Sequence, residues 1–148
     1  MHEACMRAAL EEAQAARAEG EIPVGAVVVC DGKIIAKAHN EREKEIDPTA
    51  HAEVLALRRA AKKLGRRRLD GCSLYVTLEP CPMCAGAIVM AGVDRVYFGA
   101  ADERAGCAGS VYALPEDPAF GRKIPCMGGL MAGECGEILD VFFEERRG

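Results

Sequence analysis

The spacing of hydrophobic residues changes twice in the first third of the chain. Residues 2–19 carry apolar side chains at helical intervals before a glycine, which predicts an amphipathic helix. Residues 24–30 and 33–38 are apolar, β-branched runs joined by Asp31-Gly32, a dipeptide that favours a tight hairpin turn. Residues 41–48 are rich in charge and predict a loop. The pattern therefore begins with a helix followed by a β-hairpin.

The middle of the chain alternates between helical and extended patterns. Residues 50–64 place apolar side chains on one helical stripe, and Thr49 is the expected N-cap. A strand is predicted for residues 73–78. Residues 82–91 predict a helix with proline at its first position, where the missing N–H is least costly. Another strand is predicted for residues 93–99.

The last third is loop-rich until its final helix. Residues 100–121 predict a loop with one helical turn near residues 111–114, and residues 122–130 could form a last strand. Residues 132–147 predict a closing helix. This order of elements predicts an α/β fold in which a mixed sheet carries helices on both faces. The length favours one domain over residues 1–148.

Composition and charge narrow the class of protein. The chain has 148 residues, a net charge of −4 and eight cysteines. It contains no apolar run long enough to span a membrane and no signal-like N-terminus, so we expect a cytoplasmic protein with reduced thiols. The negative net charge provides no general attraction for nucleic acid, and any RNA binding would need a local basic patch.

Three residues form a candidate metal site. Cys81 and Cys84 are three positions apart at a predicted helix start, so their side chains can meet on one turn, and the helix N-terminus favours the thiolate form. His51 lies at the start of another predicted helix. One imidazole and two thiolates suit zinc, and three protein ligands leave the fourth tetrahedral position open, as in catalytic sites. The pattern therefore predicts one catalytic Zn²⁺ per subunit.

Glu53 is the candidate catalytic residue. It follows His51 by two positions, about 200° around a helix, so it points beside the metal ligand. Zinc lowers the pKa of bound water to about 7, and a nearby carboxylate can move the proton to a leaving group. The pattern His-x-Glu with Pro-Cys-x-x-Cys is the recognised signature of zinc nucleobase deaminases.

Two alternatives for these cysteines stay open at this point. The Cys-x-x-Cys pair could be structural or redox-active, and Cys72 or Cys107 could act as a fourth ligand that closes the zinc site. We expect the cysteines other than Cys81 and Cys84 to behave as small buried or partly buried hydrophobic residues. These are Cys5, Cys30, Cys72, Cys107, Cys126 and Cys135.

Longer phrases resemble a known family, the bacterial tRNA-specific adenosine deaminases of the cytidine/deoxycytidylate deaminase superfamily. The similarity covers nearly the whole chain. The zinc motif identifies only the superfamily, whereas several phrases are narrower. The phrases that carry the resemblance are Glu21-Ile22-Pro23-Val24-Gly25-Ala26, Asn40, Asp47-Pro48-Thr49-Ala50-His51-Ala52-Glu53, residues 77–87, Arg95-Val96-Tyr97-Phe98-Gly99-Ala100, Gly106-Cys107-Ala108-Gly109-Ser110 and Asp140-Val141-Phe142-Phe143.

The resemblance implies a cytidine-deaminase-like three-layer α/β/α fold with a central mixed five-stranded sheet, and a cytoplasmic homodimer. It implies conversion of adenosine to inosine at the wobble position of a tRNA anticodon. By the same match, Asn40 would contact the target nucleotide, while Asp102 and Phe143 would contact the anticodon stem-loop. Phe143 could stack on a base, whereas Phe142 is better read as core. Asn40 could also be an ordinary turn residue.

Basic residues that could contact RNA are scattered along the chain. The cluster at residues 62–68 is more typical of a solvated helix end than of an RNA patch. Better placed by the resemblance are Arg104, Lys123, Arg146 and Arg147. Two rival functions remain: a free-base or nucleoside deaminase of guanine or cytosine type, and a non-catalytic, zinc-stabilised RNA-binding module.

Overall fold

The structure is a computed structural model that describes residues 1–147; Gly148, the last residue of the predicted domain, lies outside that range. The described part forms five α-helices and five β-strands. The helices are α1 (His2–Ala18), α2 (Arg42–Glu45), α3 (Ala52–Leu64), α4 (Pro82–Ala91) and α5 (Ala132–Arg147). The strands are β1 (Gly25–Cys30), β2 (Lys33–His39), β3 (Cys72–Leu78), β4 (Arg95–Ala100) and β5 (Cys126–Met127).

The strands form one mixed sheet in the order β2-β1-β3-β4-β5. β1 runs antiparallel to both β2 and β3, whereas β3, β4 and β5 are parallel. The β1–β2 hairpin turns through Asp31 and Gly32, whose φ angles are 52° and 75°. Positive φ at both turn positions matches the right-handed twist of the flanking strands. The predicted hairpin and mixed five-stranded sheet are confirmed.

Helices cover both faces of the sheet, because successive residues of β1 point in opposite directions. Ala26 and Val28 join the core formed with α3 and α4. Val27 and Val29 join a second core, which contains Met6 of α1 and residues that precede and begin α5. This arrangement makes three layers, α/β/α, as the resemblance implied. Within residues 1–147, no helix combines the length and apolar character needed to cross a bilayer.

The predicted loop at residues 41–48 is partly wrong, since it contains the short helix α2. The carboxylate of Glu21 stabilises this helix, accepting hydrogen bonds from the N–H groups of Glu43 and Lys44 at 3.1 and 2.9 Å. Glu21 is only 2% exposed. The donors and acceptor lie about twenty residues apart in the chain, so the local pattern carried no signal for this helix.

The start of α3 also differs from the prediction. The helix begins at Ala52, and the residue at its N-cap is His51 instead of Thr49. Thr49 bonds instead to Asp47, while the side-chain oxygen of Asn40 accepts the N–H of Ala52 at 2.9 Å. An N-cap residue normally satisfies such an N–H from within the same segment. Here a residue at the end of the hairpin does so.

The single helical turn predicted near residues 111–114 is replaced by two 3₁₀ turns, Leu114–Glu116 and Pro118–Phe120. The last strand, β5, is much shorter than the predicted residues 122–130. β5 has two residues, and Gly128 directly after it lies against the ring of Phe98, where a side chain would clash. Close packing of the backbone against Phe98 therefore replaces an extended strand. The closing helix agrees with the prediction at both ends.

Candidate active site

Two helix starts meet at one end of the sheet. His51 immediately precedes α3, Cys81 immediately precedes α4, and Cys84 lies in the first turn of α4. The Nδ1 atom of His51 is 3.6 Å from Sγ of Cys81 and 3.4 Å from Sγ of Cys84. The three donor atoms lie within 4.8 Å of one another. The structure therefore brings together the three residues predicted as metal ligands.

These distances suit a tetrahedral zinc ion. Zinc–sulfur bonds of about 2.3 Å and zinc–nitrogen bonds of about 2.0–2.1 Å, at tetrahedral angles, separate nitrogen from sulfur by about 3.6 Å. Both measured separations agree with that value to within about 0.2 Å. The predicted alternative fourth ligands, Cys72 and Cys107, are not members of the cluster that the described residues form. The donor set fits zinc with one position left for another ligand.

Hydrogen bonds among the donors determine their protonation without metal. The Cys84 thiol donates to Cys81, and this bond, with that from His51, lowers the pKa of Cys81 to about 3. The same bond raises the pKa of Cys84, because its proton is held between the two sulfurs. The Cys81 thiolate in turn raises the pKa of His51. Metal binding would displace the thiol proton.

Glu53 lies beside this cluster on the first turn of α3. Its side chain is 4% exposed, and it lies against the Cys84 thiol. Burial raises the pKa of Glu53 to about 7, so its carboxyl group can both accept and release a proton near neutral pH. This placement is what a residue that moves protons at the metal site requires.

A cavity of about 130 Å³ adjoins the cluster. Sites that enclose a drug-sized ligand typically measure about 300–1,000 Å³, so this cavity has room for little more than one small ring system. A larger substrate would insert only one group here. The lining residues are Ile22, Val24, Asn40, Arg42, His51, Glu53, Leu78, Glu79, Cys81 and Asp102.

Asn40 and Asp102, both predicted to contact substrate, line this cavity and also hold the backbone. Asn40 is 5% exposed; besides capping α3, its amide donates to the carbonyl of Ile22 at 3.0 Å. Asp102 accepts the N–H groups of Arg104 and Ala105 at 3.0 and 3.2 Å. Their contact with substrate stays a prediction, and the turn role of Asn40 is present in the structure.

A second cavity of about 580 Å³ lies next to the first, between α2 and α5. Phe142 and Phe143 both line it, but Phe142 is 5% exposed and Phe143 is 40% exposed. Arg146 lies over the Phe142 ring, 4.3 Å from its centroid. Phe142 therefore belongs to the core, as predicted, whereas Phe143 presents a ring to solvent.

The predicted basic candidates are unequally placed. Arg146 lines the second cavity, although its guanidinium also donates to the carbonyl of Gly20 at 2.6 Å. Arg66 lies two residues after the end of α3. It donates to the carbonyl of Arg68 and to the carboxylate of Asp70, which supports a role in the solvated segment after the helix. The remaining candidates, Arg104, Lys123 and Arg147, are exposed.

Glu79 was not predicted as a site residue. It is 2% exposed and stands between β3 and Cys81. Its carboxylate accepts the N–H groups of Asp102, Ala108 and Ser110 at 3.0, 3.0 and 2.9 Å, and also the hydroxyl of Ser110. Hydrogen bonds outweigh burial and hold the pKa of Glu79 below its ordinary value of 4.5. An acidic residue at the end of an apolar strand was the available signal.

Comparison with known proteins places the chain in a family. The MafB19-like deaminase family matches residues 1–145. The tRNA-specific adenosine deaminase of Bacillus subtilis is 49% identical over 142 residues, which cover 96% of this chain and 88% of that protein. This chain belongs to the tRNA-specific adenosine deaminase family. The resemblance found in the sequence is thereby confirmed, and with it a deaminase activity.

Solved structures of deaminases share the fold. A structure from studies of A-to-I editing by tRNA:A34 deaminases superposes with a TM-score of 0.88 at 43% identity, covering 91% of this chain and 98% of the other. The guanine deaminase of Nitrosomonas europaea has a TM-score of 0.81 at 28% identity, covering 95% and 83%. The cytidine-deaminase-like fold is confirmed by these neighbours.

Proposed function

We propose that this deaminase converts adenosine to inosine at the wobble position of a tRNA anticodon, using one zinc ion per subunit. The observation that carries the proposal is the cluster of His51, Cys81 and Cys84 beside a buried Glu53, in a cavity that fits one base. Relatives named tRNA-specific adenosine deaminases support a tRNA substrate, and the similar structure from studies of A-to-I editing at the wobble position supports the choice of nucleotide.

Zinc, held by His51, Cys81 and Cys84, would supply a Lewis acid and a water of lowered pKa. The chain's own residues do the rest. Glu53 takes a proton from the attacking water on its carboxylate and delivers it to the departing amino group, which leaves as ammonia. The cavity walls exclude bulk water from the reacting base. The reaction consumes one water and replaces the C6 amino group by oxygen.

The size of the cavity requires that the base be turned out of its strand. Nucleotides in RNA loops are already unstacked, which makes extrusion inexpensive and favours an anticodon loop over a duplex. Asn40 and Asp102, which line the cavity, are proposed to contact the target nucleotide and the loop backbone. Phe143 is exposed enough to stack on a neighbouring base, worth about 1–3 kcal/mol.

We further propose that the protein acts as a homodimer in the cytoplasm, the compartment in which its tRNA substrate is found. Helix α4 and the loop that follows β4 present exposed apolar side chains: Met90 is 73% exposed, Val111 58% and Phe120 53%. Such residues together favour burial against a second copy of the chain. All eight cysteines are free of disulfide bonds, in keeping with a reducing compartment.

Zinc content tests the ligand set directly. The wild-type protein should contain about one zinc ion per chain, and Cys84→Ser should lose most of it because a hydroxyl is a much poorer ligand than a thiolate. Cys107→Ser is the matched control and should keep its zinc, since Cys107 lies outside the cluster. Elemental analysis of purified protein measures both. Zinc loss in Cys107→Ser would support the closed, four-ligand site instead.

The substrate is tested with an anticodon stem-loop carrying adenosine at the wobble position. Incubation with the wild-type protein should produce inosine at that position, detected by nucleoside analysis after digestion. A stem-loop with adenosine only at other loop positions is the control and should give little product. Absence of inosine, together with activity on a free base, would overturn the proposal.

Two observations favour a second candidate, a free-base deaminase of guanine type. The active-site cavity, which has room for about one base, would also hold a free base. A guanine deaminase is among the structural neighbours. Ammonia release from guanine, cytidine and the stem-loop, measured side by side, separates the two functions. Any turnover also excludes the non-catalytic zinc module.

A further inference from the structure

The active-site cavity and the larger groove next to it share part of their walls. Ile22 and Arg42 line both of them. The groove is otherwise formed by residues 20–21, α2, the segment after α2, and α5, with the exposed ring of Phe143 on one side. An RNA strand with one base in the active-site cavity and the next base in the groove would pass the backbone between them over the wall that the two cavities share.

Arg42 has unused hydrogen-bonding capacity at that boundary. Its Nε atom is buried, yet among the described residues it has no hydrogen-bond partner. Buried nitrogen donors are nearly always paired, and an unpaired one calls for a ligand or for strain. The guanidinium is a planar fork of N–H donors, so a phosphate that reaches it can be held by two parallel hydrogen bonds.

The charges around Arg42 define the chemistry of that partner. Its guanidinium is the one fixed positive charge among residues lining the active-site cavity within residues 1–147, where Glu53, Glu79 and Asp102 contribute carboxyl groups. A phosphate entering a cavity rimmed by carboxylates needs such a cation.

The backbone that carries Arg42 is held in place independently of any ligand. The Glu21 carboxylate binds the N–H groups of the two residues that follow Arg42. The N–H of Glu41 donates to the carbonyl of Ala50 at 3.0 Å, which ties the start of α2 to the segment leading into His51. Arg42 is therefore presented from a fixed position next to a proposed zinc ligand.

We propose that Arg42 binds the phosphodiester joining the target nucleotide to the nucleotide in the groove. This inference rests on the proposed RNA substrate and adds a positioning role to it. Arg42 holds the extruded nucleotide by its backbone, so that the base enters the cavity at the correct depth. It carries no information about base identity, because phosphate contacts position and base contacts specify.

The experiment compares Arg42→Gln with Lys44→Gln on the anticodon stem-loop. Lys44 is on the same short helix, and Lys44→Gln removes the same charge as Arg42→Gln. The Lys44 ammonium lies 4.0 Å from the Glu19 carboxylate, and Lys44 does not line either cavity. Arg42→Gln should raise KM by about 10-fold or more, with a smaller change in kcat, whereas Lys44→Gln should stay within about twofold of wild type. Zinc content and thermal unfolding confirm that both variants are folded.

Salt dependence provides a readout that a purely structural role would not change. The slope of log(kcat/KM) against log salt should become shallower by about 0.7 in Arg42→Gln, the value for one single-strand phosphate contact. Arg42→Lys should restore part of the slope, since it keeps the charge and loses the fork. An unchanged KM and slope in Arg42→Gln, with an active wild type, would overturn the inference alone. An inactive wild type would overturn the RNA substrate, and the inference with it.

Discussion

Replacing Glu53 by glutamine is expected to lower kcat by about 10²–10⁴-fold while the protein keeps one zinc ion per chain. Glutamine has nearly the same shape but cannot accept and return a proton. Glu53 is not one of the three clustered donors, so the zinc content should be unchanged. Single-turnover formation of inosine on the stem-loop, alongside elemental analysis, measures both quantities.

The control for this substitution is Glu137→Gln, an equivalent change at an exposed position on α5. It should leave both turnover and zinc at wild-type values. Near-normal turnover in Glu53→Gln would show that another group moves the proton. Loss of zinc in that variant would place the carboxylate among the ligands.

A second large effect is expected on stability. Glu79→Gln should lower the free energy of unfolding by about 2–4 kcal/mol at pH 7. The amide keeps one acceptor oxygen but turns an N–H₂ group towards backbone N–H donors in the segment from Asp102 to Ser110. Those donors then lose their acceptor, and the N–H of Ala108, which also bonds to Glu79, is buried. Urea unfolding with zinc held constant measures the difference, and Glu103→Gln, exposed in the same loop, is the control.

The pH dependence of this effect has a definite sign. The pKa of Glu79 is lower in the folded protein than its ordinary value of 4.5, so folding favours the ionised form. Its contribution is therefore complete above pH 4.5 and is lost as the pH falls through the folded-state pKa. The difference in the free energy of unfolding between wild type and Glu79→Gln should become smaller below pH 4.5. A free-energy difference that stays constant from pH 7 to below the folded-state pKa of Glu79 would contradict ionisation of Glu79 as its cause.

How far the sequence predicted the elements depended on whether their stabilising contacts were local. The hairpin at Asp31-Gly32 and the helices α1, α4 and α5 formed close to the predicted bounds, because turn chemistry, proline position and apolar spacing act over a few residues. Helix α2 was missed because its acceptor is Glu21, and the N-cap of α3 was misplaced because the acceptor is Asn40.

The site shows the same division. Residue types and spacing predicted His51, Cys81 and Cys84 as metal ligands and Glu53 as the proton-transfer group, since zinc and proton transfer accept few side chains at few separations. The pattern carried no signal for Arg42, and for Glu79 its only signal was an acidic residue at the end of an apolar strand. Their roles follow from neighbours supplied by segments distant in the chain.

The sequence by itself therefore determined the class of chemistry: three soft donors at two helix starts and one carboxylate beside them. Only the tertiary structure decided that the His51 nitrogen lies 3.6 and 3.4 Å from the two sulfurs, that Glu53 is buried, and that one small cavity shares part of its wall with a groove at Arg42. The physical reason is that ligand preference resides in each side chain, whereas distance, burial and charge at a site depend on every segment that folds around it.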